Sequence, residues 1–271
     1  MRDMIRKIRK GFFKVFMLSA ANRRYVAAPA VFESIVSADP AKLFVLTVAF
    51  NDAELIALQD ASLKKFLKDP YEYFVADNSN REDRADAIRR YCLERKINYV
   101  RLPAGNPGLD GSLSHGFALN WVYANIVRKF TPRLFGFMDP DLYPVRDLDI
   151  VGYIGNADAW GFMTDWKPLR RFWDKRFACW IGLAFYRFDW IERQRPNFLP
   201  AWGLDTGGRI RVKIENPGRP ADPNIYEYAT LEVAPGVFIR QKKAFVHFSS
   251  ASWNPHALEA QKQWMKNILQ K

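Results

Sequence analysis

Four apolar runs, each closing on a polar cluster, recur between residues 43 and 139 with helix-patterned segments between them. "LFVLTVAF" (43–50), "YEYFVADNSN" (71–80), "INYVRLP" (97–103) and "RLFGFMD" (133–139) read as strands. The first is continuously apolar, as expected of a strand covered on both faces. "AELIALQDASLKKFL", "REDRADAIRRYCLERK" and "LSHGFALNWVYANIVRKF" carry helical spacing, the last with a cap expected near Ser112 or Ser114. This alternation predicts βαβ units and an α/β fold, a mostly parallel sheet flanked by helices.

Ligands on such sheets bind beyond the carboxyl ends of the strands. The clusters Asn51–Asp52, Asp77–Asn80, Asn106–Ser114 and Asp139–Asp141 all follow strand ends, so they are expected to converge on one rim. The last lies in "FGFMDPDLYP" (135–144), where an apolar run stops at two carboxylates one residue apart. At that spacing both can face one cation, and hard cations such as Mg²⁺ and Mn²⁺ take oxygen ligands shared with phosphates. Asp and Pro are also ordinary turn residues. Placement on the expected ligand rim favours the metal reading.

The 271 residues are 49% hydrophobic and 15% aromatic, with nine Trp and 21 Phe, enough to fill a sizeable core and too apolar for a disordered chain. No repeat or low-complexity segment is visible. Cys92 and Cys179 are the only cysteines; they read as buried free thiols of a reducing compartment, too few for a Cys-based zinc site. The net charge of +12 allows nucleic acid, an anionic membrane or a phosphorylated ligand as partner. No nucleic-acid motif is present, so none is expected to bind. In "MRDMIRKIRKGFFKVFMLS", Ile5, Ile8, Phe12, Val15 and Phe16 share one helical stripe, and basic residues occupy most of the remainder. Such a helix can lie on an anionic leaflet, or be a solvated or docked basic helix. Lys14 interrupts any signal-peptide core, and no later run reaches membrane-spanning length. Residues 1–40 are therefore set apart as a basic amphipathic segment, followed by one domain over 41–271, with halves at 41–150 and 151–271.

"LFVLTVAFND", "FVADNSN" and "FGFMDPDLYP", in this order, resemble the nucleotide-binding half of glycosyltransferases with the GT-A fold, nearest to family 2. The resemblance is good over about 42–150 and looser to about 250. It implies a Rossmann-like sheet with a smaller mixed acceptor-side sheet. It also implies transfer of a sugar from a nucleoside diphosphate donor, expected to be UDP-linked, to a hydroxyl, with Mn²⁺ or Mg²⁺ at Asp139 and Asp141. Asp77 matches the aspartate that contacts the nucleotide base, although Ala76 stands where many members carry another acid. Phe50 and Asn51 border the nucleotide by the same likeness. "GNPGLDGSLSHGFALN" resembles the loop and helix near nucleotide and sugar, with Asn106, Ser114, His115 and Gly116 at matching positions.

The second half must supply an acceptor site and a base. "DAWGFM" and "CWIGLAFYRFD" read as strands, with the basic-aromatic "TDWKPLRRFWDKRF" between them. Trp166, Trp173, Trp180 and Trp202 can stack on sugar faces or fill a core. Asp205, among Gly203, Gly207 and Gly208, occupies the region where family 2 members carry the general base of an inverting transfer; Leu204 leaves the usual acid pair incomplete. His247 in "KAFVHFSSASW" sits where GT-A enzymes often place a further metal ligand, or is a core histidine. "HALEAQKQWMKNILQK" reads as a closing amphipathic helix. The basic N-terminus suits a glycan or lipid-linked acceptor at the cytoplasmic face of the membrane, as in cell-surface polysaccharide or lipopolysaccharide synthesis. The competing readings are a non-catalytic transferase homologue or basic binding module, and a nucleotidyltransferase. The last would show a Gly-rich, basic loop after the first strand, which "AFNDAELIA" lacks.

Overall fold

The computed structural model describes residues 17–108, 110–164, 178–200, 205–211, 229–242, 244–248 and 255–271. The four predicted runs form β2 (Leu43–Ala49), β3 (Tyr71–Asp77), β4 (Asn98–Arg101) and β5 (Leu134–Met138). They are mutually parallel, in the order β4-β3-β2-β5. Every residue of β2 and β5 is buried, so both faces of the sheet are covered, as a continuous apolar run requires. The covering helices are α2 (Ala53–Phe66), α3 (Glu82–Glu94) and α4 (Gly111–Val122). α4 continues through a π turn at Tyr123–Val127 into α5 (Arg128–Phe130) and stops at Thr131, whose φ of 46° is left-handed. Its cap is Asp110, which accepts from Leu113 N at 2.8 Å, and not Ser112 or Ser114 as expected from sequence. Aspartate offers the same short acceptor as serine, two residues earlier.

The parallel centre has antiparallel flanks. β1 (Phe32–Ser34) adds to β4, while β8 (Ala178–Arg187) adds to β5 and β7 (Ala159–Thr164) to β8. A second sheet is antiparallel throughout: β6 (Leu142–Pro144), β11 (Phe245–His247), β10 (Val237–Lys242) and β9 (Ala229–Ala234). α9 (Pro255–Gln270) covers it, and Met265 shares a core with Leu55, Tyr143, Val246 and Phe248. α6 (Ile150–Ile154), α7 (Phe188–Arg193) and α8 (Gly208–Arg211) are short connectors.

Helical residues 17–27, here α1, and β1 belong to the same body, although the sequence reading set residues 1–40 apart. Tyr25 is buried and meets Phe117 edge-on at 6.1 Å, and Trp121 Nε1 donates to Ala28 O at 2.9 Å. The basic stripe before residue 17 lies outside the described residues. Among those described, no helix is long and apolar enough to cross a membrane. Cys92 is a buried free thiol whose pKa burial pushes up; the side chain of Cys179 is outside the described set.

Candidate active site

Asp139 and Asp141 directly follow β5, a central parallel strand, and point from the rim the sequence predicted. The backbone there is fixed from three sides. Asp139 N donates to Gly182 O at 2.9 Å. Gln59 Nε2 donates to Asp139 O at 2.7 Å and to Leu142 O at 2.8 Å. Phe248 N donates to Asp141 O at 3.0 Å.

Each carboxylate faces one imidazole. His115 Nε2, on the second turn of α4, lies 3.8 Å from Asp139 Oδ1. His247 Nε2 lies 3.5 Å from Asp141 Oδ1. The second contact follows from strand pairing: β6 begins right after the acid pair, and its Leu142 is in register with His247 of β11. Burial pushes the Asp139 carboxyl up to about 6, opposed by His115 and His247 and reinforced by the like charges of Asp141 and Asp205. Burial pulls His247 down, but the Asp141 and Asp139 carboxylates outweigh it and its pKa is raised. Two carboxylates and two imidazoles are side-chain types that divalent cations take as ligands, and a cation between the carboxylates would relieve the crowding of negative charge. Among the described residues, no three His, Cys, Asp or Glu side chains cluster closely enough to hold an ion alone.

Gly182 on β8 underlies the pair. A Cβ built there would overlap both Asp139 Oδ2 and the Trp180 ring. A glycine inside a strand marks such a close approach; the signal was present in "CWIGLAFYRFD" and was missed. Gly182→Ala is expected to cost about 1–3 kcal/mol by overpacking, read as a lower thermal midpoint, and to displace Asp139. An unchanged midpoint would mean that the rim yields freely.

The predicted convergence of the other polar clusters is realised through side chains. Asn51 Nδ2 donates to Asn80 Oδ1 at 2.7 Å, and Asn51 N donates to Ser79 Oγ at 2.8 Å. Asn51 has a left-handed φ of 55°, which asparagine tolerates, and its buried Oδ1 has no hydrogen-bond partner among the described residues. Asn106 Nδ2 donates to Asn78 Oδ1 at 2.9 Å and Asn78 Nδ2 to Ser114 Oγ at 3.0 Å. Gly116 lets α4 approach Leu199 and Phe198 backbone closely. Phe50, half exposed, caps the end of β2.

Asp77 is placed differently from the base contact implied by resemblance. It is fully buried, and its carboxylate is occupied: Ser79 N donates at 2.8 Å, Tyr99 Oη at 2.8 Å, and Arg101 Nη1 lies at 3.3 Å. Burial and this carboxylate hold the Tyr99 phenol well above its ordinary pKa, so it stays a donor. Asp77 therefore braces the rim from within and offers no exposed atom to a ligand. Arg101, which the sequence reading passed over, is its cationic partner.

Asp205 is exposed and near enough to Asp139 to raise its pKa. Ser112 Oγ donates to Asp205 Oδ1, as does Thr206 N at 2.7 Å. Thr206 Oγ1 ties the loop to Ser112 O at 2.9 Å, and Gly207 takes a left-handed φ of 79°. Oδ2 takes part in none of these bonds. Ser112 is thus the residue that links the start of α4 to the candidate base; nothing in its sequence context marks it. Trp166, Trp173, Trp202 and Leu204 lie outside the described residues.

The sequence matches no protein-family model and no curated protein. Among solved structures, similar folds occur in GT-A glycosyltransferases. An active-site mutant of LgtC is 11% identical over 83% of this chain and 94% of that one, with a TM-score of 0.49. The mannosyltransferase PcManGT from Pyrobaculum calidifontis, solved with GDP-Man and Mn²⁺, is 17% identical over 71% of this chain, with a TM-score of 0.41. TarS from S. aureus is 15% identical over 58% of this chain, with a TM-score of 0.39. The chain spans 57% of the PcManGT chain and 30% of that TarS chain. These likenesses concern the fold, and the functional reading rests on the site's own residues.

Proposed function

We propose that this protein is a metal-dependent glycosyltransferase that moves a sugar from a nucleoside diphosphate, UDP in first place, to a hydroxyl acceptor with inversion. The observation that carries this reading is the Asp139–Asp141 pair at the end of a central parallel strand, each carboxylate facing an imidazole, with Asp205 close by.

Asp139, Asp141 and His247 would hold Mn²⁺ or Mg²⁺, with diphosphate oxygens completing the shell. A cation bound there neutralises charge on the departing diphosphate. Asn51 Oδ1, a buried acceptor without a partner among the described residues, is suited to a nucleoside N–H or O–H, and Phe50 offers the base an exposed apolar face. Asp205 Oδ2 would accept the proton of the acceptor hydroxyl as its oxygen attacks the anomeric carbon and the bond from that carbon to phosphate oxygen breaks. One displacement from the face opposite the leaving group inverts the centre. The acceptor is read as a glycan or lipid-linked hydroxyl, with the basic N-terminus at the inner face of the cell membrane and the catalytic domain in the cytoplasm.

The raised Asp139 pKa gives a test without an acceptor. Unfolded, this carboxyl returns to 3.8; folded, it titrates near 6. The folded state binds the extra proton between those values, so this group's contribution to stability falls as pH rises through about 6. A divalent cation needs the ionised form. Mn²⁺ with UDP or GDP is therefore expected to raise the thermal midpoint at pH 7.5 and much less at pH 5. An equal shift at both pH values, or none at pH 7.5, counts against the metal–diphosphate site.

A further inference from the structure

Gln59 lies on α2, on the helical face it shares with Ile56 and Leu63, and it is fully buried. A polar side chain on an apolar stripe needs partners, and Gln59 has four. Its Oε1 accepts from Thr47 Oγ1 on β2 at 2.7 Å and from Tyr73 Oη on β3 at 2.6 Å. Its Nε2 donates to Asp139 O at 2.7 Å and to Leu142 O at 2.8 Å. A glutamine amide has two donor hydrogens and two acceptor lone pairs, so its capacity is filled. Its orientation follows from the partners. The two carbonyls can only accept, so Nε2 must face them and both hydroxyls must donate. Burial holds the Tyr73 phenol well above its ordinary pKa, so it keeps its proton. Three residues on, the fully buried Ser62 donates from Oγ to Pro144 O. α2 thus grips the carbonyls of residues 139, 142 and 144, and hydroxyls from the sheet hold the gripping amide in place.

Building on the transferase reading, we infer that Gln59 is a positioning residue that sets how tightly the Asp139–Asp141 turn holds its cation. Its two donors pin the turn at both ends, and both aspartates lie within that bracket. With the carbonyls pinned, the backbone under the two carboxylates keeps one shape. Mg²⁺ takes oxygen ligands at about 2.0–2.1 Å in a demanding geometry, so a turn that wanders by a fraction of an ångström binds it less well. Hydrogen-bond partners behind metal ligands are typically worth about 10–100-fold in metal affinity. The same helix begins at its cap Asp52, directly after Phe50 and Asn51. One element therefore joins the proposed nucleotide edge to the anchor of the metal turn.

The experiment reads two quantities on each folded variant. Apparent Mn²⁺ affinity comes from calorimetric titration of UDP and GDP at graded Mn²⁺ concentrations, and stability from the thermal midpoint without metal. Gln59→Met keeps the side chain's length and removes all four bonds. Gln59→Glu keeps an acceptor toward Thr47 and Tyr73 and puts an oxygen where the Nε2 donors were, and it decides the matter should Gln59→Met fail to fold. Tyr73→Phe is the control: it removes one bond from the same amide, on the side away from the turn. The Gln59 variants are expected to lose at least about tenfold in Mn²⁺ affinity. Tyr73→Phe is expected to lower the midpoint yet stay within about threefold of wild type in Mn²⁺ affinity. A loss below tenfold in either folded Gln59 variant overturns the inference and leaves the transferase reading standing. So does a loss above threefold in Tyr73→Phe, which would mark a general softening of the buried network. A wild type that binds neither nucleotide in Mn²⁺ overturns both.

Discussion

Asp205→Asn is expected to lower kcat by about 10²–10⁴-fold, the usual contribution of a positioned general base, while nucleotide binding in Mn²⁺ stays close to wild type. The amide is nearly isosteric and can still accept from Ser112 Oγ and Thr206 N at its oxygen, so the loop keeps its shape. What it loses is the carboxylate Oδ2, the oxygen free of those bonds. Steady-state transfer and calorimetry on the same preparation separate the two effects. A variant that transfers sugar at the wild-type rate removes Asp205 from the mechanism and leaves it as the anchor of a glycine turn.

The largest effect on stability is expected from Arg101→Ala. Arg101 is the cation beside the fully buried Asp77, at 3.3 Å, and also reaches Glu82 at 3.1 Å. Deleting one partner of a buried pair leaves an uncompensated charge and costs about 3–5 kcal/mol. The bonds from Ser79 N and Tyr99 Oη remain, so the lower end of that range applies. At this chain length it corresponds to a fall in Tm on the order of 5–10 °C. Arg101→Lys keeps the charge without the fork and should recover part of the loss. A loss below about 1 kcal/mol, the scale of an exposed pair, would mean that water reaches Asp77.

The legible parts of the molecule were those written in local periodicity. Continuous apolar runs at 43–50 and 133–139 announced strands covered on both faces, and β2 and β5 are buried throughout. The rim was legible because a parallel sheet sends every strand's carboxyl end the same way. The neighbours that complete the site were not. His247 reaches Asp141 only because the three-residue β6 and β11 pair across about a hundred residues, and strands that short leave no readable period. Its candidacy came from family resemblance alone. Asp77 shows the opposite limit. Its motif was recognisable, but whether a strand-end aspartate faces a ligand or an arginine depends on the neighbouring strand, here β4 with Tyr99 and Arg101. Gly182 was readable in principle, since a glycine amid bulky strand residues signals close approach, but not what approaches.

In the proposed mechanism Asp139 and Asp141 hold a cation against a nucleoside diphosphate. Calorimetric titration of UDP and GDP, with and without Mn²⁺, on wild type and on Asp141→Ala, tests it most directly. One of the two nucleotides is expected to bind wild type only when Mn²⁺ is present, and the variant is expected to lose at least about tenfold, which is about 1.4 kcal/mol. Binding that ignores Mn²⁺ or survives in Asp141→Ala, or the absence of binding to either nucleotide, would contradict the account and return the two aspartates to the role of a turn.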